Sequence, residues 1–102
     1  MKKILFVCSA GMSTSLLVMK TEKAAAKRGI ELDIKAMSEA EAKNNIDDSN
    51  VILLGPQVRF LLSNVKKSVG DKNIAVDVID VTNYGRMDGE AVLDQILSLI
   101  RE

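Results

Sequence analysis

FVCSAGMSTSLLVMK, residues Phe6 to Lys20, closes an apolar run, passes through small residues and opens an amphipathic segment. The run that leads into it, Lys3 to Cys8, is continuously apolar after its lysine rather than alternating. A strand covered on both faces has that pattern, so the stretch is read as a central strand of a parallel sheet. After the serine and glycine residues, Leu17, Thr21, Ala24 and Ala25 recur at helical spacing. Lys20, Lys23 and Lys27 line the other side, and Gly29 ends the helix. That lysine row is read as a solvated face, with docking of a partner as the alternative.

Working outward, Ile30, Leu32, Ile34 and Ala36 alternate with Glu31, Asp33 and Lys35, the period of a strand with one open side. It is expected at an edge. Ser38 and Glu41 have the spacing of a capping box over a short helix, which Asn44, Asn45, Asp47 and Asp48 end. Val51 to Gly55 is read as another short apolar strand. Pro56 stands near a helix start, where its missing N–H costs little, and Val58, Leu61, Leu62, Val65 and Val69 share one face. Ala75 to Val81 is read as a fourth strand, and Leu93, Ile96, Leu97 and Ile100 as the terminal helix with Asp88 as its N-cap.

Strands alternating with helices make an α/β fold, here one domain over 1–102 with four parallel strands in the order 2-1-3-4 and helices on both faces. In that order the loops after strands one and three flank the switch point, where open α/β sheets bind ligands. Cys8, Gly55 and Gln57 are therefore expected near one another.

Composition narrows the function. Lys plus Arg and Asp plus Glu each number 14, so no bulk field draws the chain to nucleic acid or anionic lipid. No run approaches the roughly 18 apolar residues of a membrane span, and the first apolar run is too short for a signal peptide, which points to the cytoplasm. A single cysteine cannot form an internal disulfide, and a reducing compartment keeps its thiol available. With no histidine, the commonest general base and metal ligand are both missing. No cofactor or metal ion is called for.

Cys8 thus ends a strand, and Ser13 to Ser15 begin a helix, with Gly11 permitting a tight turn between them. Backbone N–H groups of such a turn, together with about half a positive charge from the helix dipole, suit a phosphoryl dianion and favour thiolate over thiol. The plainer alternative is a buried small apolar residue. A core filler needs no glycine and serine loop after it, whereas an anion cradle does. A cysteine, five residues and an arginine mark the low-molecular-weight tyrosine phosphatases, but Thr14 occupies the arginine position here and no Asp-Pro pair supplies the acid. A phosphorylated Cys8 would form and persist, as a carrier requires.

FVCSAGMSTSLLV, VILLGPQVRFLL and VIDVTNYGRMDGEAVL together span essentially the whole chain. In them the sequence resembles the enzyme IIB component of the bacterial sugar phosphotransferase system, in its lactose/cellobiose/diacetylchitobiose branch. The resemblance implies that Cys8 accepts a phosphoryl group from a phosphohistidine of enzyme IIA. It further implies transfer to a sugar held by the membrane permease, enzyme IIC, with a β-linked disaccharide such as cellobiose, chitobiose or lactose as the class. The phosphate loop maps to Ser9, Ala10, Gly11, Met12, Ser13, Thr14 and Ser15. Gln57 and Tyr84 are candidate partner contacts in the loops after strands three and four, with packing of a loop as the alternative for Tyr84. Met12 is read as docking surface at the loop tip, with filling of a gap as the alternative, and Phe60 as packing or helix surface. The competing enzyme class, a phosphatase or arsenate-reductase-like protein, would need Arg59 or Arg86 to swing into the loop. A non-catalytic receiver or flavin-binding module fits less well, since no acidic cluster ends the first strand and only 3% of the residues are aromatic.

Overall fold

Side-chain alternation along the first strand divides the core into two layers. In the computed structural model, which describes residues 1–8 and 12–100 and only the backbone of Met12 and Ser13, strand β1 (Lys2–Val7) has Ile4, Leu5, Phe6 and Val7 all buried. Ile4 and Phe6 join Leu17, Val92 and Ile96 on one face of the sheet. Leu5 and Val7 join Ala42, Val58, Leu61, Val65 and Val69 on the other. A strand whose two faces are both apolar is stable only between two such layers.

The elements follow in the order β1, α1 (Met12–Lys27), β2 (Leu32–Met37), α2 (Glu39–Ala42), β3 (Val51–Leu54), α3 (Leu62–Val69), β4 (Ala75–Val78), α4 (Val81–Gly85) and α5 (Gly89–Leu99). Short 3₁₀ turns at Ile46–Asp48 and Pro56–Leu61 precede β3 and α3. All pairings are parallel and the strand order is β2-β1-β3-β4, as the sequence pattern predicts. Helices α1 and α5 cover one face, and α2 and α3 the other. Among the described residues no helix is long and apolar enough to cross a membrane.

Element boundaries differ from expectation where a cap intervenes. Ile30 is not the first residue of β2. Its N–H donates to the Ala25 carbonyl at 2.9 Å while that of Gly29, at φ +71°, donates to Ala26. These two bonds close α1 in a Schellman motif, with Ile30 packed against Ala24 and Ala25. At the other end of the chain, β4 stops at Val78 instead of running to Val81. Ile79 N–H still reaches the Leu54 carbonyl at 2.8 Å, but Asp80 Oδ1 accepts from the amides of Thr82 and Asn83 and starts α4. The Pro56 segment is a 3₁₀ turn kinked at Val58 (φ −120°, ψ 23°), and regular helix begins only at Leu62.

The Ser38 and Glu41 capping box is present on α2, and Asp88 Oδ1 caps α5 by accepting from Ala91 N–H. Arg28 then ties the end of α1 to α5 through Asp94 and Glu90, each at 2.7 Å. Hydrogen bonds to Asp94 and to Glu90 raise its pKa.

Candidate functional site

All four strands point the same way, so their carboxyl ends share one edge, and the residues leaving β1 and β3 are neighbours there. Val7 pairs with Leu54. One step on, Gly55 N–H donates to the Val7 carbonyl at 2.8 Å, and Cys8 N–H donates to the Met37 carbonyl of β2 at 3.0 Å. Cys8 therefore sits at the end of a central strand with chain on both sides, beside Gly55 as expected. It is 5% exposed and forms no disulfide.

Between Cys8 and α1 lie Ser9, Ala10 and Gly11, which are outside the described residues, as are the side chains of Met12 and Ser13. The expected contacts of these five residues, including docking by Met12, lie outside them too. The backbone of Met12 opens a helix of 16 residues. Its first turn carries no acidic residue to cancel the partial positive charge of its N-terminus. Ser15 is exposed. Thr14 is buried, at 2% exposure, and its hydroxyl is engaged across the molecule: Thr14 Oγ1 lies 3.0 Å from Tyr84 Oη.

Tyr84 is not in a loop, as its sequence context suggests, but on α4, because the Asp80 cap starts a helix there. Its ring packs against the core layer that contains Phe6 and Leu17. Gln57, exposed on the segment leaving β3, donates from Nε2 to the same phenol oxygen at 3.1 Å. Cys8, Gly55, Gln57, Thr14 and Tyr84 thus come from segments at one end of the sheet.

Sequence reasoning places Gln57 and Tyr84 on this edge separately and does not find the bond between them. It also misses what Gly55 does. Gly55 is buried, and a Cβ there would fall 2.6 Å from Gln57 Oε1 and 3.1 Å from its Cδ. The glycine leaves room for the Gln57 side chain to fold back toward Tyr84.

Two features bear on the competing phosphatase class. The position where an arginine would grip the phosphoryl group holds a buried, hydrogen-bonded threonine, and Arg59 and Arg86 are both exposed. Arg86 lines an open cleft with Lys20, Lys23 and Lys27 of α1 and Glu90 of α5. The lysine row is thus one wall of a cleft as well as a solvated face. Phe60, 74% exposed, belongs to the helix surface and not to the core.

Against known proteins, residues 3–95 match the family model for the lactose/cellobiose-specific IIB subunit of the phosphotransferase system. The chain is 45% identical over 100 residues to the oligo-beta-mannoside-specific EIIB component of Bacillus subtilis (strain 168), covering 98% of this chain and 97% of that one. The cellobiose-specific IIB component of Borrelia burgdorferi superposes with a TM-score of 0.78 at 38% identity, over 96% of this chain and 90% of that one. The lactose-specific IIB domain of Streptococcus pneumoniae has the same fold, with a TM-score of 0.88 over 98% of both chains at 16% identity. On both sequence and fold, the chain belongs to the lactose/cellobiose-specific IIB subunits of the sugar phosphotransferase system.

Proposed function

We propose that this IIB subunit carries its phosphoryl group on Cys8, taking it from a phosphohistidine of enzyme IIA and giving it to a sugar held by the IIC permease. One observation supports the assignment: Cys8 directly follows a central strand at the carboxyl edge of the sheet, four residues ahead of Met12, which opens a long helix; such edges and helix N-termini suit anionic ligands. The sequence contains no histidine, so a phosphohistidine donor belongs to the partner.

In the first transfer the Cys8 thiolate attacks phosphorus in line with the donor imidazole. An S–P bond forms, the N–P bond breaks, and the imidazole leaves as a neutral base once its other nitrogen holds the proton. In the second, a sugar hydroxyl attacks phosphorus, the S–P bond breaks and the thiolate departs, while the hydroxyl proton goes to a base of the permease. This chain's contribution is positioning and charge stabilisation. Backbone donors of Ser9, Ala10, Gly11, Met12, Ser13, Thr14 and Ser15 are assigned to the phosphoryl oxygens.

Exposed Phe60 and Val81 stand on the segments leaving β3 and β4 at the same edge, and Leu16 is exposed on α1. Exposed apolar groups on these segments suit docking of a protein partner that must exclude water during transfer. The substrate class follows the relatives named for oligo-β-mannosides and cellobiose, a β-linked glycoside. The subunit acts on the cytoplasmic side of the permease.

The test is intact-mass measurement after incubation with the general phosphotransfer proteins, a IIA subunit and phosphoenolpyruvate, followed by mapping of the modified residue. One phosphoryl group on Cys8 is expected. Cys8→Ser should fold as the wild type and take up none. Acid-stable label on a serine, or no label on the wild type, overturns the assignment.

A further inference from the structure

Tyr84 Oη is the meeting point of two segments far apart in sequence. Thr14, 70 residues away, lies in the first turn of α1, and Gln57, 27 residues away, lies on the segment leaving β3. A phenol oxygen can accept two hydrogen bonds and donate one, so it can serve both partners at once. Gln57 donates to it. Thr14 can either donate or accept, which leaves the pair satisfied through rotation of the hydroxyls alone.

A second observation points the same way. Gly55 has φ −62° and ψ 150°, a conformation open to any residue, so its backbone does not require glycine. The side chain it lacks would overlap Gln57 at 2.6 Å. What glycine permits at this position is the fold-back of Gln57 that brings its amide within 3.1 Å of Tyr84.

We infer that Tyr84 is a positioning residue for phosphoryl transfer: it fixes the first turn of α1 through Thr14, while Gln57, folded over Gly55, holds the phenol in place. The inference rests on the assignment of Cys8 as the carrier. Donors that stabilise a transferring dianion act only if they are held where the charge develops, and displacement of the helix start would move them together. A tyrosine that merely packed would need its ring and not its hydroxyl.

Tyr84→Phe keeps the ring and removes the oxygen. Transfer from phosphorylated IIA to the IIB chain, followed by rapid quench and intact mass, should show a maximal rate about tenfold lower, the equivalent of one hydrogen bond, with the half-saturating donor concentration unchanged. Gln57→Ala and Gly55→Ala should each slow transfer about threefold, and neither should slow Tyr84→Phe further, because the three act through one oxygen. A wild-type rate for Tyr84→Phe overturns the inference. So does a change confined to the half-saturating concentration, which would make these residues partner contacts, or additive losses in the double variants. These failures leave a wild type labelled on Cys8. A wild type unlabelled there refutes the carrier assignment itself, and the positioning role with it.

Discussion

Gly55 and Gly89 would each bring an added methyl into overlap with a neighbour, and what stands in the way differs. At Gly89, the first residue of α5, a Cβ would lie 2.5 Å from both the carbonyl carbon and oxygen of Lys20 and 2.9 Å from Thr21 N, all backbone of α1. At Gly55 the closest atom, at 2.6 Å, is the end of the Gln57 side chain. Carbon contacts are comfortable at about 3.5–4.0 Å, so Gly89→Ala requires α5 to back away from α1 by close to an ångström. That helix carries Val92, Leu93 and Ile96, all at 0% exposure, so the displacement loosens core packing along its length. Overpacking of this kind costs about 1–3 kcal/mol, and the upper end applies because backbone cannot rotate aside. Replacing glycine returns about 0.4–1 kcal/mol through a less flexible unfolded chain. The net loss for Gly89→Ala is about 2 kcal/mol, a fall in Tm of about 8–16 °C for a domain of this size. For Gly55→Ala the same return offsets one exposed hydrogen bond, worth about 0.5–1.5 kcal/mol, and stability should change by less than about 1 kcal/mol. Thermal and urea unfolding of the two variants side by side provide the assay. Equal losses, or a Gly89→Ala protein as stable as the wild type, would refute the reasoning from the identity of the opposing atoms.

Two further substitutions test neighbouring features. Asp80→Ala removes the acceptor for the Thr82 and Asn83 amides, and should cost about 1 kcal/mol in urea unfolding. Because Tyr84 rides on the helix that this cap starts, phosphoryl uptake should slow as well. Gln95 Nε2 donates to the Val78 carbonyl at 2.8 Å and to Asp77 Oδ2 at 3.1 Å, while Asp77 Oδ1 accepts from Val78 N–H. These side chains serve the polar groups of Val78 on β4, an edge strand of the sheet. Gln95→Ala should lower stability by about 1–2 kcal/mol in urea unfolding.

Topology was legible because the strands differ in pattern for a physical reason. Val51 to Leu54 and Ile4 to Val7 are apolar on both faces and must be central, whereas Leu32 to Met37 alternates and ends at an edge. Boundaries were less legible, since propensity does not reveal which backbone groups a cap has already taken. Ile30 has the side chain of a strand residue, yet its N–H closes a helix. Val81 has one too, yet Asp80 has already begun the next helix. Cys8 stood out because one short stretch contains the strand end, the small residues and the helix start. The bonds from Tyr84 to Thr14 and Gln57 leave no such mark, because they exist only once the sheet has brought three distant segments to one edge.

If Cys8 carries a phosphoryl group as proposed, the residue at position 14 bears on whether that group is kept or released to water. A guanidinium there would grip equatorial oxygens with paired donors as charge builds up, lowering the barrier to attack by whatever nucleophile is present, water included. The chain places a neutral hydroxyl at that position, 2% exposed and 3.0 Å from Tyr84 Oη. A hydroxyl spent on the tyrosine ties down the first turn of α1 without adding charge at that position. On the carrier assignment, the donors at Cys8 are then sufficient to bind the dianion, and the rest of the transition-state stabilisation arrives with the partner that brings the acceptor. On that assignment, transfer is expected to be fast only when IIA or IIC is docked, and the S–P bond is expected to persist between the two encounters.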